Sequence, residues 1–142
     1  MKPFFFLIFF IVAIRCFSQS VIEKNQIYSS DGIEINLKKV DCIDKAKGIE
    51  KQILYFEMIN SNNYPVNISF KKELWYNNVC DACISNSSEY FINQNIESSS
   101  SIQGGCTSEI PSLNIFVKML NLDNVRQLTN YECKDIKIEK AN

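Results

Sequence analysis

Apolar residues recur at every second position in one stretch of this chain after another. That period leaves room for little except antiparallel sheets with one buried face. Ile33, Ile35 and Leu37 alternate with Glu34 and Asn36, after an Asp31-Gly32 pair of the kind that closes a tight hairpin. The phase then moves to Val40 and Cys42, and a bulge near Lys38-Lys39 is the expected cause. Ile53 to Ile59 is apolar at nearly every position, the mark of a strand covered on both faces. Val66, Ile68 and Phe70 alternate again, and the strand continues through Leu74-Trp75-Tyr76. Further strands are predicted over Ile22–Ser29, Glu89–Ile96, Leu113–Met119 and Tyr131–Glu139. Turn signals lie at Asp44–Gly48, Ser61–Pro65 and Glu97–Ser101. Asp123–Thr129 is expected to form a helical turn, with Leu122, Val125 and Leu128 facing the core. About seven or eight short strands predict an all-β fold, specifically an immunoglobulin-like antiparallel β-sandwich.

The first eighteen residues read as an address. Met1-Lys2 supplies a positive start, Phe4–Ile14 an unbroken apolar run, and Cys16-Phe17-Ser18 a cut site before Gln19. The expectation is a signal peptide over 1–18, a single sandwich domain over 19–142, and a secreted or periplasmic product. The apolar run is shorter than the roughly 20 residues a spanning helix needs. Retention of the leader as an anchor is the competing reading. No later segment is apolar enough to span, so no transmembrane segment is expected in the mature chain.

Charge and composition narrow the function further. The formal net charge is −1, without the basic excess of a nucleic-acid binder, so no nucleic-acid partner is expected. The chain has no histidine. This removes Ser-His-Asp and Cys-His catalysis and every zinc site that uses imidazole. The carboxylates are scattered and no pair has a spacing that implies shared chemistry. No catalytic residue, metal site or cofactor is assigned, and the protein is not expected to be an enzyme.

Five cysteines follow the leader: Cys42, Cys80, Cys83, Cys106 and Cys133. Export to an oxidising compartment makes all five disulfide candidates, and an odd number leaves one unpaired. The loop positions favour a bridge from Cys106 to Cys80 or Cys83, and the strand positions a second from Cys42 to Cys133. Cys80-Asp81-Ala82-Cys83 also admits a thiol-redox or Cys-metal role. The residues after it are poor helix formers, which weakens the redox reading. Trp75 and Tyr76, at the mouth of this loop, are candidate binding residues, with core packing as the alternative. The composite expectation is a non-enzymatic extracytoplasmic binding or interaction module, stapled by disulfides. Its partner would be a protein or glycan that meets the loops Trp75–Ser88 and Gly104–Ile110.

Overall fold

The computed structural model describes residues 21–123 and 125–141; the leader expected over 1–18, with Cys16, lies outside them. Among the described residues, nine strands form two antiparallel sheets. In chain order they are β1 Glu23–Ser30, β2 Ile33–Asp44, β3 Ile49–Asn60, β4 Val66–Tyr76, β5 Val79–Cys80, β6 Phe91–Ile96, β7 Ser100–Gln103, β8 Asn114–Met119 and β9 Leu128–Lys140. The first sheet runs β1-β2-β3, with β7 and β8 both pairing β3. In the second, β4 is central, with β9 on one side and β5 and β6 on the other. The sheets do not close into a barrel.

The turns follow local chemistry. Asp31 and Gly32 have φ of 52° and 74°, and Asn77 and Asn78 have 49° and 65°. Both pairs are two-residue hairpin turns whose left-handed backbone matches strand twist. Gly48, at φ 66°, ends the 3-10 turn Lys45–Lys47, whose first residue follows the capping Asp44. Glu97–Ser99 forms the expected turn, but Ser100 and Ser101 already belong to β7.

The core lies between the sheets. Ile33, Ile35 and Leu37 on β2 and Leu54, Phe56 and Met58 on β3 face Val66, Ile68, Phe70 and Leu74 on β4. The rings of Phe56 and Phe70 meet edge to face at 5.2 Å between centroids. The bulge expected near Lys38-Lys39 is absent. β2 and β3 stay in register from Ile33–Asn60 to Asp44–Ile49. Val40 and Cys42 are instead buried on the outer face of the first sheet, with Ile53, Tyr55 and Cys106. The apolar phase changes there because the sheet gains a second cover, not because the strand kinks. The irregularity lies on β1, between Gln26 and Tyr28. The helical turn predicted over Asp123–Thr129 is also corrected. The described part of that segment is not helical, and Leu122 and Val125 are exposed.

β1 and β9 are edge strands, and both are blunted against further pairing. Each carries charges and a register break; on β9, Asp135 sits at φ 54° opposite the break between Ser69 and Lys71.

The disulfides are Cys42–Cys106 and Cys80–Cys83. This overturns the expected pairings of Cys106 with the Cys80 loop and of Cys42 with Cys133. The reason is topological: Cys42 points outward from the first sheet, whereas Cys133 packs against the inner core on the second. The Cys42–Cys106 bridge pins the segment after β7 over the outer cluster. Gly104 approaches closely there, since a Cβ on it would lie 2.9 Å from the Leu113 carbonyl oxygen. The Asn114 side chain completes the clamp, accepting from Gly105 N at 2.8 Å and donating to Gly105 O at 3.1 Å.

The bridges should differ in energetic weight, because a crosslink restrains the unfolded chain more when it closes a longer loop. Cys42–Cys106 spans 64 positions and Cys80–Cys83 spans 3. By the loop-entropy relation these correspond to about 4 and about 2 kcal/mol. Urea unfolding of the Cys42→Ser/Cys106→Ser double variant should therefore show the larger loss, and the Cys80→Ser/Cys83→Ser variant roughly half of it.

Candidate functional site

The alternation along β4 places Val66, Ile68, Phe70, Leu74 and Tyr76 on the inner face, and it places Lys72 there too. Lys72 is 4% exposed. Its ammonium donates to the Ser112 carbonyl oxygen at 2.8 Å, in the 3-10 turn Pro111–Leu113. Among the described residues no carboxylate lies within 4.0 Å of it. An ammonium has three donors, and here one is used within the protein.

Lys72 lines a solvent-open cleft of about 400 Å³ between β4 and β8, beside Leu74, Tyr76, Tyr90, Ile115 and Phe116. Tyr76 donates from its hydroxyl to the Phe116 carbonyl oxygen at 2.8 Å, which joins β4 to β8 at the cavity wall. The Arg126 guanidinium stacks over the Tyr76 ring, 4.0 Å from its centroid, and is ion-paired with Asp81. Glu89 also lines the cavity. Burial pushes the Tyr76 phenol up, with Arg126 opposing. A second cavity, of about 220 Å³, lies at the opposite end of the sheets, lined by Asp31, Asn62, Tyr64 and Lys140 among others.

Trp75 and Tyr76 are separated by the strand they share. Tyr76 points inward and is 8% exposed. Trp75 points to the outer face, partly covered, opposite Cys80 in the hairpin register. They therefore do not form one surface. Beside Trp75, the Cys83 amide donates to the Cys80 sulfur at 3.1 Å. Val79 and Ile84 flank the bridge at 65% and 94% exposure, the most solvent-facing large apolar residues among those described. The Gly104–Ile110 loop is folded against the outer face of the first sheet. Cys106 is already bonded to Cys42, so a thiolate set of Cys80, Cys83 and Cys106 is not assembled.

No protein-family model matches the chain, and no curated protein or solved structure matches it either. Among the described residues no helix is long and apolar enough to cross a membrane.

Lys72 was legible in principle. The two-residue period from Val66 to Tyr76 passes through it, so a lysine stands where the pattern demands an apolar side chain. Cys133 is its cross-strand partner and has no disulfide partner among the described residues. Burial pushes the Cys133 thiol up to about 11 from 9.0, partly offset by Lys72. A thiol held protonated in this way is a poor nucleophile. Burial also lowers the Lys72 pKa, with Cys133 and Glu89 opposing.

The two shifts act on stability with opposite signs. Between pH 9 and 11 the unfolded chain gives up the Cys133 proton before the folded chain does, so this thiol makes folding less favourable as pH rises. The cost of holding Lys72 charged is present below its lowered pKa and fades as pH approaches 10.5. Urea unfolding at pH 9 and pH 11 should show Cys133→Ala losing less stability than the wild type, by on the order of 1–2 kcal/mol. At neutral pH, Lys72→Met should raise stability by about 1 kcal/mol, because it removes a buried charge that no carboxylate contacts among the described residues.

Proposed function

We propose that the chain is an exported, non-enzymatic binding module that holds a small ligand between its two sheets. One observation carries this reading: the buried ammonium of Lys72, without a carboxylate partner among the described residues, on the wall of a cavity of about 400 Å³. A volume of that order is within the range of small-molecule sites, which pair an apolar lining with a few polar groups. The two disulfides are compatible with an oxidising compartment, as is the leader over 1–18. The immunoglobulin-like description belongs to this proposal as an architectural analogy for two packed antiparallel sheets.

In this reading the disulfides shape the site from both sides. Cys42–Cys106 fixes the segment leading to Ser112, and Cys80–Cys83 fixes Asp81, which holds Arg126 over Tyr76. Amide-detected NMR with a small-fragment library tests the site. Shifts should cluster at Lys72, Tyr76, Tyr90 and Ile115. Shifts confined to the outer sheet faces would overturn the reading. For export, mass spectrometry of full-length protein expressed with its leader should find Gln19 at the N-terminus and both bridges closed.

A second reading, thiol–disulfide exchange, is favoured by the Cys83 amide donating to the Cys80 sulfur between exposed apolar residues. Here a partner dithiol reduces the Cys80–Cys83 bridge and leaves as a disulfide, with two electrons and two protons passing to the pair. Incubation with a reduced dithiol peptide should then oxidise the peptide, and Cys80→Ser should abolish the effect. A bridge that stays closed in that mixture overturns this second reading.

A further inference from the structure

Lys72 occupies the position between Phe70 and Leu74 on the inward row of β4, where an apolar residue would serve the core better. A charge kept there is costly unless something pairs with it. The Ser112 carbonyl takes one of its donors, and the others remain for a ligand. We infer that the cavity takes a monocarboxylate with an apolar body, its carboxylate held by Lys72. This rests on the binding-module reading and names its ligand class.

The rest of the lining fits that chemistry. Leu74, Ile115 and Phe116 offer apolar surface next to the ammonium, so an alkyl or aryl body lies against them while the carboxylate reaches Lys72. A carboxylate presents two acceptor oxygens to an ammonium with spare donors, and charge-assisted bonds of this kind are the strong ones. A dianion such as phosphate fits less well. Arg126, the other cation on the cavity, is committed to Asp81 and to the Tyr76 ring, and Glu89 on the same wall repels a second negative charge. A cationic amphiphile would meet Lys72 directly and is disfavoured.

Calorimetric titration of the oxidised protein with octanoate, 3-phenylpropanoate, octanamide, octylammonium and inorganic phosphate tests this. Octanoate or 3-phenylpropanoate should bind about tenfold or more tightly than octanamide, the difference expected of a charge-assisted pair over a neutral one. Octylammonium and phosphate should bind more weakly still. Lys72→Met should remove the preference for the acid, so that octanoate and octanamide bind alike, and Lys72→Arg should retain part of it. Circular dichroism melts would confirm that both variants fold. Equal binding of octanoate and octanamide in the cavity would overturn the carboxylate assignment and leave the binding module standing. Neither the acids nor the amide perturbing cavity amides would overturn both. A preference for the acid that survives in Lys72→Met would locate the anion elsewhere and overturn the role of Lys72.

Discussion

The contact of β4 with β2 and β3 across the interior organises everything else in this protein. Phe56 and Phe70 meet there, and the aliphatic rows on either side of them form the main core between the sheets. Burial of that apolar area is the main favourable contribution to folding, at roughly 25 cal/mol per Å². Because successive strand residues point to opposite faces, fixing Phe70 inward also fixes Lys72, Leu74 and Tyr76 inward. The site is a consequence of the core: the row that builds the hydrophobic contact carries the ammonium into the cavity.

Around that contact the structure divides labour between its faces. The inner face of the second sheet holds the cavity, the protonated Cys133 thiol and the Tyr76–Phe116 link. Its outer face holds Trp75, and the Cys80–Cys83 bridge lies beside it in the hairpin register. The outer face of the first sheet has a small core of its own, Val40, Cys42, Ile53 and Tyr55, closed by the loop that Cys106 anchors. This second core explains why β2 and β3 are apolar on both sides at one end and on one side at the other.

Much of the fold was legible from the period-two pattern and the turn residues. The hairpin at Asp31-Gly32, the turn at Gly48 and the central strands are local statements, made by residues within a few positions of one another. The absent bulge at Lys38-Lys39 and the non-helical segment around Val125 are not local. A change of apolar phase reads identically whether the strand kinks or its other face becomes covered. The spacing of Leu122, Val125 and Leu128 fits a helix as well as an exposed linker that enters β9. Trp75 and Tyr76 are neighbours in sequence, but adjacency on a strand is separation in space.

The sequence by itself determined that this chain folds as antiparallel sheets, because alternation at every second residue can bury one face only in a pleated strand. It also determined that imidazole chemistry is absent, because there is no histidine to supply it. Only the tertiary structure decided which cysteines pair, because pairing depends on which faces of which strands come together. It alone decided that Lys72 is a buried cation lacking a carboxylate partner among the described residues, because that depends on what the opposite sheet and the Ser112 turn place around it.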